Sequence, residues 1–414
     1  MDYLDHTADR PLKSISYKPL KKGTVKARVC IVGAGLAGLS TAFQLASHGV
    51  RDIVVLEGSD IARGASGLNG GFLCNDYSLP YPAIKQRYGY DTALELRSWA
   101  HNAKANIRKL ITSVGIPCGP LMPGSIEVCF DAQPGQCRDF QDKEKMLREE
   151  FGMGTHYIDA KTVKRLCSSD RYSAGIFHRD SFQFHTPNYV RGLAKYLARN
   201  GVKIYEHSPA IEITKASDSD KVSVEVNPSA KVEAEYAVMA CNQNIDGIVP
   251  PSKRSYTIDY VLVTEPLSLA QRNKIFKNPF RSRLESFAVF DSRDRCSYYR
   301  ILPDKRLMWG ANFGDSSARS EDNFIELVLN DMRKTYAHLD KINIASAWSG
   351  AIEENTQTDM PRIRRHADRI FEASAFGGEG LIATMTAGDL IASAIVENDQ
   401  RYRVLENHIP AEPG

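Results

Sequence analysis

The sequence predicts an α/β protein: a Rossmann-like dinucleotide-binding domain beside an α+β domain built on a mostly antiparallel sheet. Three observations carry that prediction. Val29 to Glu57 reads as buried strand, G-x-G-x-x-G turn, helix, second buried strand and acid, in that order. Two further glycine-dense blocks lie apart from it, Arg63 to Gly71 and Phe376 to Gly380. The stretch from Tyr256 to Ala318 is β-rich, with a hairpin within it.

Val29-Cys30-Ile31-Val32 is a continuous apolar run, the mark of a strand covered on both faces of a parallel sheet. Gly33 permits the tight turn out of that strand, Gly35 lets a pyrophosphate approach the backbone, and Gly38 lets helix and sheet pack closely. Leu36 and Ala37 begin a helix predicted to end at Ser47, whose amino end offers unpaired N–H groups and positive charge to phosphate. Ile53 to Leu56 is the second strand. Glu57 falls roughly 20 residues after the last glycine, where a carboxylate accepts hydrogen bonds from ribose hydroxyls. This pattern marks a dinucleotide without separating FAD from NAD.

Gly64, Gly67, Gly70 and Gly71 crowd the next loop, which marks backbone that something flat or anionic must approach. Helices are predicted from Asp91 to Val114, Glu144 to Phe151, Asn188 to Ala198 and Asn323 to His338. Strands are predicted from Gly124 to Phe130, Val202 to Glu206 and Ala210 to Thr214, and two more, Val222 to Val226 and Val232 to Ala240, read as arms of a meander. Ser297 to Leu302 and Arg306 to Gly310 pair about Pro303-Asp304-Lys305. Alternation puts Tyr298, Arg300 and Leu302 on one face. Ile370 to Ala375 leads into the last glycine run, and a helix follows from Thr386 to Glu397, again a place for negative charge. Trp309 and Trp348 read as core. The dinucleotide-binding domain is expected to be discontinuous, 28–105, 160–250 and 340–400, with 106–159 and 251–339 forming the substrate domain and 1–27 an N-terminal extension.

At 414 residues the chain has room for two domains. An apolar share of 43%, a charged share of 25% and a net charge of +3 are ordinary for a globular protein and argue against nucleic acid as a partner. Lys18, Lys21, Lys22, Lys26 and Arg28 read as a solvated lead-in to the first strand. The amino terminus is polar, without the apolar core of a signal peptide, and no segment has the length and purity of a membrane span. The eight cysteines form no C-x-x-C pair, and Cys30 lies in a buried strand, so they read as reduced thiols of a cytoplasmic protein.

With Trp348-Ser349-Gly350 and Thr264-Glu265-Pro266-Leu267, the three glycine blocks resemble the D-amino-acid oxidase-like family of FAD-dependent oxidoreductases. Within it the likeness is to the γ-glutamylputrescine, glycine and sarcosine oxidase group, over nearly the whole chain. The resemblance implies an FAD-binding domain of glutathione-reductase type with a β-meander. It assigns the ADP half of FAD to Gly33, Gly35, Leu36, Ala37, Gly38 and Glu57. Arg63, Gly64, Ala65, Ser66, Asn69, Gly70 and Gly71 then lie along the ribityl–flavin portion. Ile211 matches a position whose backbone faces adenine. Gly378, Glu379, Gly380 and Leu381 cap the pyrimidine side of the ring, where a helix amino end stabilises the anionic reduced flavin. Four departures matter. Leu68 replaces an arginine, and Glu379 a histidine, usual in relatives. Ala351 stands where sarcosine oxidases tether flavin through cysteine, which implies non-covalent FAD. Met308 stands where they hold a lysine for oxygen activation, so the electron acceptor is left open between oxygen and another molecule.

The resemblance implies oxidation of a C–N bond in an amine or amino acid by hydride transfer to the flavin N5 atom, giving an imine that water hydrolyses. Such a step needs a desolvated pocket that favours the neutral amine, with aromatic walls for any cationic portion. Arg300 is the candidate carboxylate clamp, since glycine oxidases carry an arginine two positions further along the matching strand, on the same face. Tyr298 shares that face. Tyr256, Asp259 and Tyr260 lie on the strand leading to Thr264, and one of them is expected to point at the flavin. His185 matches a family segment near the second nucleotide unit. No metal constellation is visible. Three other readings stay open. The same fold can act on a 2-hydroxy acid or polyol, with His185 as the base an alcohol requires. The others are a nicotinamide-dependent enzyme and a flavin-binding protein without turnover.

Overall fold

The continuous apolar runs and the alternating ones sort into two separate sheets. The computed structural model describes residues 12, 16–74, 76–130, 136–215, 220–242, 254–277, 287–293, 296–312 and 321–406; the polar amino terminus, apart from residue 12, and Ala318 lie outside the described residues. The first sheet has a parallel centre of β1 (Gly23–Val32), β2 (Ile53–Leu56), β7 (Lys203–Tyr205), β10 (Ala230–Met239) and β17 (Ile370–Ser374), in the order β17-β10-β1-β2-β7. β16 (Arg362–Ala367) runs antiparallel to β17. β8 (Glu212–Lys215) and β9 (Val222–Asn227) complete the expected meander with β10.

The second sheet follows the order β15 (Ile344–Glu354), β11 (Ser255–Thr264), β14 (Leu307–Asn312), β13 (Ser297–Ile301), β12 (Ala288–Asp291), β4 (Met122–Phe130), β6 (Tyr172–Gln183) and β3 (Phe72–Leu73). β5 (Thr155–Ile158) joins it on β6. Among the described strands only β12 and β4 pair in parallel, so this sheet is mostly antiparallel.

Five helices position the site. α1 (Leu36–Ser47) follows β1, α2 (Tyr90–Thr112) and α3 (Thr186–Arg199) pack in the same core, α4 (Glu321–Thr335) covers one face of the second sheet, and α5 (Gly380–Glu397) packs on α1. The α5–α1 crossing is close because Gly388 has no side chain: a β-carbon there would stand 2.6 Å from the Ser40 backbone. Leu390, Ile391 and Ile395 are buried as expected, together with Leu381, Ile382 and Met385. Each such side chain contributes roughly 1.5–3 kcal/mol of burial.

Several expectations need correction. α5 begins six residues before Thr386, because the 3₁₀ turn Gly377–Glu379 runs straight into it rather than ending in a loop. That extension makes Gly377–Glu397 long and apolar enough to cross a membrane by length and composition, but 78% of its most apolar stretch is buried inside the protein, as in a core helix. The basic lead-in is not merely solvated chain: β1 starts at Gly23, and Lys26 and Arg28 belong to a strand paired with β10. The helix expected from Glu144 starts earlier, at Gln136, and ends at Glu149. β6 and β15 fall inside segments assigned to the dinucleotide-binding domain, yet both belong to the second sheet. His178, Arg179, Asp180 and Ser181 interrupt β6, so it carries no apolar run to announce a strand of twelve residues.

Candidate active site

The turn from β1 into α1 is held by close backbone contacts. Gly33 has φ +107°, and a side chain there would overlap the Ala240 carbonyl. One at Gly38 would overlap the Gly33 carbonyl oxygen. No side chain caps α1 at Gly35. Instead the Leu36 N–H donates to Ser66 Oγ at 2.9 Å, which draws the second glycine block onto the first. Glu57 Oε2 accepts the Ala34 N–H at 2.9 Å while Oε1 accepts the Ser59 N–H at 2.9 Å, so the acid braces the turn it follows.

The second block is a short helix, Ala65–Leu68, followed by a turn that Asn69 staples. Asn69 Nδ2 donates to the Ser66 carbonyl at 2.9 Å, and its Oδ1 accepts from the Gly71 N–H at 3.0 Å and Thr186 Oγ1 at 2.9 Å. Gly71 needs its φ of +71°, since a side chain would strike the Phe184 carbonyl. Gly64 and Gly378, by contrast, face open space in which an added β-carbon meets nothing within 4 Å. Glycines that the fold itself does not require are what a cradle for a flat group leaves behind. Arg63 stands at the rim, in an exposed ion pair with Asp60 at 3.6 Å.

The hairpin presents the expected face to this block. Arg300, 6% exposed, donates from Nη2 to the Phe184 carbonyl at 3.1 Å and lies 5.4 Å from the centre of the Phe72 ring. Tyr298 lies across Gly310, its cross-strand partner, which must be glycine for the ring to cross. The Tyr298 hydroxyl then donates to Asp259 Oδ2 on β11. Phe72 meets the Tyr298 ring edge-on at 5.1 Å, and fully buried Met308 abuts Gly70. Trp348 is not simple core: half-buried, it donates from Nε1 to the Leu68 carbonyl at 2.9 Å, tying β15 to the second glycine block. Trp309 is core, stacked on Tyr299 at 4.2 Å.

Other candidates stand apart. Tyr256 shares the opposite face of β11 with Tyr260, which stacks on Phe324 of α4 at 4.4 Å; of that strand's three polar candidates it is Asp259 that faces Tyr298. His185 is the N-cap of α3, its Nδ1 accepting the Asn188 N–H at 3.2 Å. That bond takes up the Nδ1 lone pair. Ile211, 54% exposed, precedes β8 with its N–H bound to the Glu225 carbonyl. Asp259 is the residue that sequence reasoning undervalued, an acid set inside the apolar run of β11.

Electrostatics single out the same acid. Burial raises Asp259 to about 6, partly offset by the Tyr298 hydroxyl. Burial likewise pushes the Cys74 thiol up to about 12, with Glu379 adding to it, and drives Cys296 well above its ordinary value, with Asp291, Glu379 and Asp259 adding to that. Thiols so raised stay protonated and unreactive. Among the described residues there is no cluster suited to a metal ion, and all eight cysteines are free.

A dinucleotide cradle facing the polar side of a second sheet is the architecture of a flavoprotein oxidoreductase. The chain matches the DAO family, described as FAD dependent oxidoreductase, over residues 28–394, and it belongs to that family. It is 32% identical over 395 residues to gamma-glutamylputrescine oxidoreductase of Escherichia coli (strain K12), covering 93% of this chain and 88% of that one. A probable oxidoreductase OrdL of Haemophilus influenzae is 29% identical over 388 residues, covering 92% and 85%. The solved structure of glycine oxidase from Geobacillus kaustophilus has the same fold, with a TM-score of 0.71, 18% identity and coverage of 91% and 96%. So does L-proline dehydrogenase from P. horikoshii, at 0.73, 15%, 92% and 96%. The protein is an FAD-dependent oxidoreductase.

Ser66→Ala tests the joint between the two glycine blocks. Loss of the acceptor for Leu36 is expected to weaken the helix terminus by about 1 kcal/mol and FAD affinity severalfold. Fluorescence of released FAD on dilution measures it.

Proposed function

We propose that the enzyme oxidises a C–N bond of an amine or amino acid, hydride passing to the flavin N5 atom and the imine hydrolysing in water. The observation that carries this reading is the partly buried polar face of Arg300, Tyr298 and Asp259 set against the second glycine block. A relative named for gamma-glutamylputrescine, 32% identical across 93% of the chain, supports an amine as the donor.

The residues present fit FAD. Gly33, Gly35, Leu36, Ala37, Gly38 and Glu57 would hold its ADP half, with Ile211 toward adenine. Arg63, Gly64, Ala65, Ser66, Asn69, Gly70 and Gly71 would line its middle, and Gly378, Glu379, Gly380 and Leu381 its pyrimidine edge. With alanine at position 351 and both nearby thiols protonated, binding is non-covalent. Bound FAD supplies the hydride acceptor. The chain's own groups do the rest: Phe72, Tyr298 and Trp348 exclude water, Arg300 offers a fixed positive charge to a substrate carboxylate, and Asp259 manages charge at the amine. His185, the base an alcohol-oxidising reading calls on, is engaged as a helix cap. Free thiols suit a reducing compartment, which favours the cytoplasm.

Anaerobic mixing of the yellow enzyme with a panel of amines, amino acids and 2-hydroxy acids tests the proposal. At least one amine or amino acid is expected to bleach the flavin band, and hydroxy acids to leave it unchanged. Bleaching by hydroxy acids alone would overturn the reading. Reoxidation by oxygen against a quinone then separates oxidase from dehydrogenase.

A further inference from the structure

Buried acids in this protein come with cations or, as at Glu206, with backbone N–H donors to both oxygens. Asp76 has Lys104 at 3.2 Å and Arg97 at 3.7 Å, Glu127 has Lys143 at 2.6 Å, Asp291 has Arg293 at 2.9 Å, and Glu372 has Arg364 at 2.8 Å. Asp259 differs. Among the described residues it has no ion pair; Tyr298 satisfies Oδ2, and Oδ1 is shielded from water with no hydrogen-bond donor. An ionised carboxylate oxygen left in that state is costly unless a donor arrives from elsewhere.

The surroundings leave room on one side of Asp259. Gly350, directly across from Asp259 on β15, opens onto space in which a β-carbon would meet nothing within 4 Å. Trp348, one pleat further along the same face, offers an aromatic surface beside that space. Cys296 feels the negative charge of Asp291, Glu379 and Asp259 alike. The other groups facing Asp259 are Tyr298 and, one pleat on, Arg300 from β13, and Asn312 from β14.

We propose that Asp259 seats a cationic nitrogen of the substrate and takes up its proton before hydride transfer, so that amines bind as cations and react as neutral molecules. This deepens the amine reading above and rests on it for the identity of the site. Tyr298 is a positioning residue: its hydroxyl holds one carboxylate oxygen and leaves the other for the substrate nitrogen.

Three probes of one shape test the assignment on the FAD-loaded enzyme: tert-butylammonium, tert-butanol and pivalate. The cation has no hydrogen on the carbon next to nitrogen, so it binds without reducing the flavin, and binding is read from the shift of the flavin absorption band. Asp259→Asn is expected to weaken tert-butylammonium by about tenfold and leave the neutral probe unchanged. In the wild type, affinity for the cation is expected to fall as pH drops through about 6, where Asp259 takes up a proton. This second arm needs no variant. A loss below roughly threefold in a folded, FAD-loaded Asp259→Asn protein overturns the proposal, given what a charged hydrogen bond contributes. So does a wild-type affinity that does not change with pH, or the absence of any preference for the cation. Flavin bleaching by amines alongside such a result would leave the proposed reaction standing and remove Asp259 from it.

Discussion

Gly38→Ala is expected to give a chain that retains little FAD and melts at lower temperature. The added methyl would overlap the Gly33 carbonyl oxygen and lie 3.2 Å from the Ile31 side chain. Neither neighbour can yield. Gly33 is already fixed at φ +107° with its other side against Ala240, and Ile31 is fully buried in the parallel centre of the first sheet. Forcing α1 off the sheet costs about 3 kcal/mol or more. A domain stable by about 5–15 kcal/mol loses much of its margin that way. The same shift moves the amino end of α1 away from any phosphate. The ratio of flavin to protein absorbance, read beside thermal unfolding, checks both consequences. Unchanged values in both would show that the strand–helix contact is softer than its geometry.

The second large effect is expected at Glu372 on β17. Its buried carboxylate accepts from Arg364 Nε at 2.8 Å, Arg254 Nη2 at 3.2 Å and Ser374 Oγ at 2.7 Å, and has Arg362 at 3.9 Å. Arg254 and Arg362 also bond Glu353 on β15, so five charged side chains bridge the edges of the two sheets. Glu372→Ala strands arginines in a site where water cannot replace the lost partner, at a cost of roughly 3–5 kcal/mol. Urea unfolding at neutral pH measures it. The pH dependence has a definite sign. Burial alone would raise the Glu372 carboxyl, but Arg364, with Ser374 and Arg362, outweighs burial and holds it below its ordinary value. Its stabilisation is therefore complete above the unfolded carboxyl range, about 4.3, and is lost as pH falls through the lower folded value. The variant should show a shallower acid-side decline than the wild type.

The legibility of these features in the sequence followed from their physical range. Leu36–Ser47 and Ile53–Leu56 could be bounded to the residue because glycine turns and apolar periodicity are local signals. The shared face of Tyr298 and Arg300 followed from alternation alone. β6 was hidden because its polar residues meet neighbours far away in the chain: Glu127, Thr155 and Gly154 take up His178, Arg179 and Asp180. Asp259 was hidden for the same reason, since nothing near it in sequence says that a tyrosine 39 residues later crosses a glycine to reach it. His185 shows the converse. Its local role is to cap the helix that Pro187 helps to start and that begins at Thr186.

The close seat of α5 on α1 has a consequence for how the protein is made. Gly33 to Gly38 leave the ribosome early, yet the strands β10 and β17 that flank their sheet, and the helix whose Gly388 closes on Ser40, are synthesised hundreds of residues later. At about 5–20 residues per second the delay is on the order of tens of seconds. Throughout it Ile31, Leu39 and Leu45, all fully buried in the finished enzyme, have no permanent cover. The apolar faces of β1 and α1 thus wait on partners that emerge far later in the chain.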